Sequence, residues 1–308
     1  MATTESEAKK IIASDSVVSK VKEKKKFTPA ALLTPGMLWL VLFFLFPLFT
    51  LFQKSLSSKP SRFAEPEFTW EWSNYNEAFT QYGDQFSRSF IYAGIATIIA
   101  LALAFPLAYV IAFRGGRWKN FWMGLIMVPF FTNFLIRTLA WKTLLGTDGP
   151  IGFIFGHNVD IFGISIGTPD EILRTPSAVI GGLVYNFLPF MVLPLYVALE
   201  KIDPKLIDAA RDLYANTFTA FRRIVVPLAM PGIFAGSLLV FIPAAGDFVN
   251  TYYLGTTKTS MIGTVVQNQF LNQNDFPVAA ALSFVFMIIV LVLFTIYSAV
   301  FDAEDLAG

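Results

Sequence analysis

Residues 276–301, FPVAAALSFVFMIIVLVLFTIYSAVF, form a run of 26 positions without a charged side chain. An α-helix needs about 20 apolar residues to cross the hydrocarbon core of a bilayer. Because that core offers no water to unpaired backbone groups, an apolar segment of this length crosses it as a helix. The stretch therefore predicts a membrane-spanning helix.

Charge-free windows of the same kind recur along the chain, at residues 27–53, 89–113, 120–136, 175–199 and 224–246. Four of them are long enough to span a bilayer. The third, with 17 residues, becomes long enough when Arg137 and Lys142 lie near its outer end. The pattern predicts an all-α integral membrane protein. Its six transmembrane helices are predicted at 31–53, 89–113, 120–145, 177–199, 228–250 and 279–301.

The composition agrees with a protein that faces lipid. Of the 308 residues 55% are hydrophobic and 15% are charged, which excludes a disordered chain and argues against an ordinary soluble domain. A net charge of +1 argues against nucleic acid as a partner. The chain has no cysteine, which excludes disulfides and thiol chemistry. Its single histidine, His157, is too little for a histidine metal cluster, so no metal site is predicted.

Lysine and arginine are distributed unequally over the predicted loops. Of the 23 basic residues, 15 fall in the N-terminal tail, the 114–119 loop and the 200–227 loop, whereas 6 fall in the loops on the opposite side. Since cytoplasmic loops carry an excess of basic residues, both termini are predicted to be cytoplasmic. The predicted parts are a basic, disordered tail at 1–30, a six-helix domain at 31–301 and a cytoplasmic tail at 302–308.

The two long predicted outer loops, 54–88 and 146–176, exceed what a hairpin connection needs. The first mixes aromatic with acidic side chains, and the second is rich in glycine and proline with an apolar stretch at 151–155. Packing of aromatic side chains at the membrane interface accounts for most of this composition. Loops of this length also present docking surfaces, which is a second interpretation.

The predicted inner loop 200–227 has the pattern of a helix–turn–helix. Asp203 directly before Pro204 is typical of a helix start. Apolar positions recur at helical spacing over 206–213, and after a break Thr217 is the predicted cap of a second short helix. Two adjacent alanines in the first helix leave room for the close approach of another backbone or of a bulky side chain. A simple connection between two membrane helices does not need this construction.

The same loop resembles the EAA loop of ATP-binding-cassette (ABC) importer permeases. The family pattern is Glu-Ala-Ala, three residues, Gly, nine residues, Ile, one residue and Leu-Pro. Asp208-Ala209-Ala210 occupies the first three positions at the family spacing, and Ile224, Val226 and Pro227 occupy the last three. Asp208 stands in place of Glu, and Val226 in place of Leu.

Tyr214 occupies the position of the family glycine. Glycine permits a tight turn there because it adopts the left-handed backbone conformation without strain. We therefore expect the bend to fall at Asn216 instead, since asparagine tolerates that conformation better than tyrosine.

Further segments resemble the spermidine/putrescine permeases within this family, over about residues 30–301. They are Leu33-Thr34-Pro35-Gly36, the stretch FLIRTLAW at 134–141 and Gly246-Asp247-Phe248-Val249. The resemblance implies a permease of the bacterial plasma membrane that imports polyamines. Permeases for iron, opines and phosphonates share much of this layout, so these solutes are the alternative cargo.

The resemblance also implies the partners: a second, homologous permease, two ABC ATPase subunits, an extracytoplasmic substrate-binding protein and membrane lipid. No Gly-Lys pair occurs in the chain, so it has no Walker A loop and no catalytic residue is predicted. We expect no cofactor on this chain, with ATP and Mg²⁺ bound by the ATPase subunits. The residues predicted to couple to them are Asp208, Ala209, Ala210, Arg211, Asp212, Tyr214 and Asn216, with Ile224 and Pro227 fixing the loop to the fifth span.

Arg137 and Asp247 are charges inside predicted spans, at similar depth in the outer third. One hypothesis makes Asp247 a carboxylate that meets a cationic amine near an outer gate. The other pairs it with Arg137 in a structural ion pair. The candidates for the substrate path are Asp247, Trp141, Tyr185, Asn186, Phe190, Asn250 and Tyr252.

Two other classes of protein compete with this interpretation. Six spans with a few buried charges also suit a secondary transporter that works alone, but the EAA-like loop and the lack of an evident inverted repeat argue against it. A membrane-embedded enzyme needs a nucleophile–base set or an acid–base cluster, and none stands out in the sequence.

Overall fold

The computed structural model describes residues 32–59, 65–146, 149–150, 159–161, 164–166 and 173–300. The predicted tails at 1–30 and 302–308, the apolar stretch 151–155 and His157 lie outside these ranges. Internal contacts divide the chain into two units, Met1–Lys54 and Ser55–Gly308.

Helices make up most of the described residues. Their bounds are α1 Leu32–Ser55, α2 Ser73–Arg114, α3 Lys119–Met127, α4 Phe134–Leu145, α5 Pro176–Glu200, α6 Pro204–Asp212, α7 Thr217–Ala245, α8 Val249–Leu254, α9 Ile262–Gln267 and α10 Phe276–Val300. Two short antiparallel hairpins pair β1 Ser57–Ser58 with β2 Glu67–Phe68, and β3 Val159–Ile161 with β4 Ile164–Ile166.

Five of these helices, α1, α2, α5, α7 and α10, are long and apolar enough to cross a membrane. The segments Gly116–Phe131 and Phe134–Leu145 add a sixth span when the two are counted as one, but they meet at 89°. The third predicted span, 120–145, is therefore wrong as a single helix. The first helical segment ends just before Thr132, whose backbone is extended, and the Asn133 side chain accepts the Leu135 N–H at 2.8 Å, which caps α4.

The predicted outer loop 54–88 is also wrong over its second half. The helix α2 already begins at Ser73, and its 42 residues are about 63 Å long, twice the thickness of the hydrocarbon core. The sequence window began at residue 89 because Arg88 and the acidic residues before it interrupt the apolar run, although they do not interrupt the helix.

The fifth predicted span, 228–250, differs from the structure at both ends. The second helix of the 200–227 loop and the membrane span form one helix, α7, which begins at Thr217 and contains a π-helical turn at Phe221–Val225. The π-helical turn ends two residues before Pro227, which has no N–H to donate to a carbonyl of that turn. At its other end α7 stops at Ala245, and Gly246–Phe248 separate it from α8.

The core of the second unit is built from α2, α5 and α7. On α2 five fully buried alanines recur every three or four positions: Ala93, Ala96, Ala100, Ala104 and Ala108. Small side chains let membrane helices approach closely, which replaces the hydrophobic driving force that lipid cannot supply. The helix α10 packs on α2 from another side, with α9 against both.

The helix α7 approaches α5 closely at two glycines. A Cβ atom added at Gly232 would lie 2.6 Å from Ala198 Cβ and 2.7 Å from the Pro194 carbonyl oxygen. At Gly236 it would lie 2.7 Å from Met191 Sδ. Both glycines are therefore required by the distance between the two helices.

We predict that Gly232→Ala lowers the free energy of unfolding of the purified protein by about 1–3 kcal/mol, and with it the melting temperature, because the α5 backbone must move to admit the methyl group. Gly181→Ala is the matched control, since a Cβ atom on that α5 glycine meets nothing within 4 Å. We expect this control to match or exceed the wild-type melting temperature, measured by intrinsic fluorescence in detergent. Equal melting temperatures for both variants would contradict the close packing of α7 on α5 at Gly232.

Candidate functional site

Two regions at opposite ends of α5 and α7 contain the predicted site residues. The α6 end comprises α6 and the N-terminal part of α7. Lys119 Nζ lies 3.4 Å from Glu200 Oε1 there, so the 114–119 connection is at the same end. The α8 end comprises α4, α8 and α9 with the residues around them.

At the α6 end, the helix start predicted from Asp203-Pro204 is confirmed. The Asp203 carboxylate accepts the Lys205 N–H at 3.0 Å, and α6 begins at Pro204. The cap of the next helix is Asn216, not Thr217 as predicted, because the Asn216 side chain accepts the Thr219 N–H at 2.7 Å. An asparagine with extended backbone is well suited to this position.

The bend between the two helices falls at Tyr214, which corrects the prediction that Asn216 adopts it. Tyr214 has a φ of 60°, whereas Asn216 has a φ of −69°. The N–H of Ala215 donates to the carbonyl of Ala210 at 3.0 Å, which closes the turn that usually carries glycine at the left-handed position. A tyrosine there costs about 1–2 kcal/mol of backbone strain.

Apolar side chains of the loop fall into two groups. Ile202, Ile207 and Val225 are buried in the core, and Phe221 packs edge-to-face on Phe105 of α2 with ring centroids 5.3 Å apart. These residues anchor the loop. Ile224 is half-buried and Pro227 is exposed, whereas Val225 between them is buried. The anchoring role of Ile224 and Pro227 stays a prediction.

The second group is exposed. Leu213 is 81% exposed, Tyr214 99% and Phe218 69%, and Leu206 is exposed as well. Between them lie Asp208, Ala209 and Asp212, which are exposed, and Ala210, which is half-buried. The side chain of Arg211 lies outside the described part of the chain. Large apolar side chains on a polar surface segment are typical of a docking surface.

At the α8 end, three side chains from three helices form a buried polar cluster. Asn186 Nδ2 of α5 donates to Asn250 Oδ1 of α8 at 3.0 Å and to Thr138 Oγ1 of α4 at 3.2 Å. All three side chains are buried. Thr138 was missed by the sequence analysis. The available signal was a hydroxyl next to Arg137 within an apolar span.

Asp247 caps α8. Its Oδ1 accepts the backbone N–H of Asn250 at 2.8 Å, and the backbone of Val249 and Thr251 also faces this carboxylate. The carboxylate is buried. A negative charge at the N-terminus of a helix is favourable, so Asp247 stabilises the start of α8 just after the break that ends α7.

The hypothesis that Asp247 pairs with Arg137 is wrong for this structure. Within the described ranges, Lys119 with Glu200 is the one ion pair closer than 4 Å. The Arg137 guanidinium instead lies 5.6 Å from the centre of the Phe134 ring, and its Nε and Nη1 have no hydrogen-bond partner among the described residues. Arg137 is only 7% exposed, which makes it an unusual buried cation.

Of the four predicted aromatic residues, Trp141 and Tyr185 contact each other, whereas Tyr252 and Phe190 each contact another aromatic residue. Trp141 of α4 contacts Tyr185 of α5 edge-to-face, with 5.4 Å between the ring centroids, as in the ring distances that follow. Tyr252 is exposed on α8 and contacts Tyr253 at 5.0 Å. Phe190 lies further along α5, where it packs on Phe130 at 5.2 Å. Trp141 and Tyr185 are thus brought together, whereas Phe190 belongs to a separate aromatic contact.

Comparison of the sequence with known proteins identifies one family and similar relatives within it. Residues 79–303 match the family described as "Binding-protein-dependent transport system inner membrane component". The spermidine/putrescine transport system permease protein PotB of Haemophilus influenzae is 40% identical over 261 residues, 84% of this chain and 89% of that protein. PotB of Escherichia coli K12 is 40% identical over 262 residues, 84% and 92% of the two chains.

The fold is similar to a solved structure described as a bacterial ABC transporter involved in the import of the acidic polysaccharide alginate. The TM-score is 0.71 with 16% sequence identity, over 90% of this chain and 96% of that one. At this identity the likeness concerns the fold alone.

We predict that Asp247→Asn keeps the stability of the folded protein close to wild type, because asparagine caps a helix as well as aspartate does. Asp247→Ala removes the cap and is expected to cost about 1 kcal/mol. Thermal unfolding in detergent, followed by size-exclusion chromatography, measures both. A large loss with Asp247→Asn and none with Asp247→Ala would contradict the capping role.

Proposed function

Because the chain belongs to the family of binding-protein-dependent transport system inner membrane components, we propose that it is the permease subunit of an ABC importer that carries polyamines into the cytoplasm. The observation that carries the substrate class is the similarity to the PotB proteins over most of both chains. The alternative cargo is another solute of this transporter family, such as iron, an opine or a phosphonate.

In this proposal the α6 end is the contact for the ATPase subunits. The exposed side chains of Leu206, Leu213, Tyr214 and Phe218 supply apolar area, and Ala209 lets a partner surface approach the α6 backbone. Burying such side chains against a protein is worth roughly 1.5–3 kcal/mol each when burial is complete. This is the favourable contact that a subunit interface needs, and α7 continues from it directly into the membrane.

The proposed topology places the α6 end and both termini in the cytoplasm. The unequal distribution of basic residues supports it, and the ion pair of Lys119 with Glu200 supports placing two of the basic connections at one end. The broken span α3–α4 is then the third of six crossings. The α8 end faces the extracytoplasmic side, where a substrate-binding protein delivers the solute.

ATP and Mg²⁺ are bound by separate subunits in this scheme, since the sequence lacks the Gly-Lys pair of a Walker A loop. Closure of the ATPase dimer moves α6 and, through the anchors Phe221 and Val225, the helices α2 and α7. Coupling of this kind is a rigid-body movement of packed elements. The chain itself is a transport subunit and carries out no hydrolysis.

The translocation path is proposed to lie between this chain and a second, similar permease. Arg137 is buried at the α8 end, and its Nε and Nη1 have no acceptor among the described residues, which is unusual for a cation within a span. Trp141 of α4 and Tyr185 of α5 contact each other edge-to-face, and we propose that their rings attract an alkylammonium ion.

We predict that cells lacking the gene lose uptake of labelled spermidine or putrescine and that a plasmid copy restores it. The strain must lack other polyamine importers, and an unrelated amino acid serves as the control solute. Uptake that does not respond to the gene would overturn the substrate class and leave the ABC permease assignment in place. Uptake that persists without the ATPase subunits would instead favour a stand-alone transporter.

We predict that Ala209→Trp lowers polyamine uptake about ten-fold or more, because the indole holds the ATPase away from α6 and a loss of about 1.4 kcal/mol of docking energy suffices. Ala209→Ser keeps the side chain small and is the matched control, with uptake close to wild type. The amount of each variant in the membrane is measured by immunoblot, and copurification of the ATPase subunits is the second readout. Normal copurification and uptake with Ala209→Trp would exclude this surface.

A further inference from the structure

A polar cavity of about 420 Å³ lies at the α8 end, between α8, α9 and the first turns of α2. The described side chains that line it are uncharged, and most are hydroxyl or amide groups. They include the five amides of the run QNQFLNQ at 267–273, which are Gln267, Asn268, Gln269, Asn272 and Gln273. A cavity with this lining differs from the apolar clefts expected between membrane helices.

Three polar groups that line the cavity have no hydrogen-bond partner among the described residues. They are Thr251 Oγ1, Thr264 Oγ1 and Gln269 Oε1. Thr251 is 3% exposed and Gln269 is 5% exposed. Burying such groups without a partner costs free energy, so the unpaired groups indicate a polar ligand.

The amide of Gln269 is fixed in position. Its Nε2 donates to the Tyr82 hydroxyl of α2 at 2.6 Å, which directs Oε1 away from that contact. Carbonyl and hydroxyl oxygens accept hydrogen bonds, so the three open groups can all receive N–H donors. Three acceptors in one cavity match the three N–H bonds of a primary ammonium group.

The aromatic part of the wall favours a positively charged group. The rings of Tyr82 and Tyr252 are part of the cavity wall, and aromatic faces attract alkylammonium ions. A neutral polar ligand would gain less from these ring faces.

We propose that this cavity is a binding site for a primary alkylammonium group, which it holds through the oxygens of Thr251, Thr264 and Gln269. The inference rests on the proposed function, since it assigns the ammonium end of the imported polyamine to a site on this chain. Thr251 follows Asn250 in α8, and Asn250 contacts Asn186 of α5. The proposed site and the buried polar cluster are therefore joined through two consecutive residues of α8, Thr251 and Asn250.

The first test measures import of labelled spermidine by the complete transporter in cells. Thr264→Val and Thr251→Val keep the size of the side chain and remove the acceptor. Each is expected to lower the maximal import rate on the order of ten-fold, the effect of losing one hydrogen bond to a charged group. Thr80→Val is the matched control, because the Thr80 hydroxyl bonds only to its own helix and is exposed.

The second test reads out binding without transport and uses the absence of cysteine from this chain. In membranes with the complete transporter, Thr264→Cys is labelled with a trimethylammonium methanethiosulfonate and with a sulfonate methanethiosulfonate, and labelling is scored on this chain after electrophoresis. We expect the cationic reagent to react several-fold faster, and spermidine to slow the reaction several-fold. Thr80→Cys should show neither effect.

The outcomes separate the two proposals. Wild-type import of polyamine with unchanged import by both valine variants, and labelling that spermidine does not slow, would overturn the site and leave the proposed function standing. Protection by spermidine in a transporter that imports no polyamine would support the site and overturn the proposed function. Where a valine variant fails to assemble, the labelling experiment decides.

Discussion

The close approach of α7 to α5 at Gly232 and Gly236 is the contact on which the rest of the second unit depends. Apolar helices gain little by leaving lipid for each other, so their association requires close packing and satisfied polar groups. Residues without a side chain provide the packing here, and the buried alanines of α2 complete it. This contact brings the exposed α6 to one end of the two helices and the polar cluster to the other.

The polar cluster has the same physical origin. A break in a membrane helix leaves backbone groups that water cannot reach, so the protein must supply their partners. Gly246–Phe248 interrupt the helical path between α7 and α8, and the Asp247 carboxylate accepts a backbone N–H of the new helix. Asn250 in that short helix then contacts Asn186. The capping of α8 and the cluster are therefore one structural unit, which explains a charged residue at this position without an ion pair.

At Tyr214 the backbone strain and the exposed ring are both unfavourable within this chain. Its left-handed backbone is a local cost, and its ring is almost entirely exposed, so no packing within the described residues repays it. Strain of this kind persists where the surroundings determine the turn, and here the hydrogen bond from Ala215 to Ala210 closes it. A glycine would form the turn with less strain but would remove the apolar ring from the exposed surface. The proposed ATPase contact gives that ring a partner.

The sequence by itself determined the class of protein and the position of most spans. The length of an apolar run is a local property that the thickness of the bilayer selects directly, as α5 and α10 illustrate. Asp203-Pro204 likewise predicted the start of α6, since capping involves near neighbours in the chain. The sequence did not predict the breaks before α4 and α8, the extension of α2 to Ser73, the left-handed Tyr214 or the polar cavity. The polar groups at the break before α8 and in the cavity depend on contacts between distant residues, such as Asn186 with Asn250 and Tyr82 with Gln269. Hydropathy reports only whether a residue tolerates lipid, whereas the partner of each buried polar atom was decided by the tertiary structure.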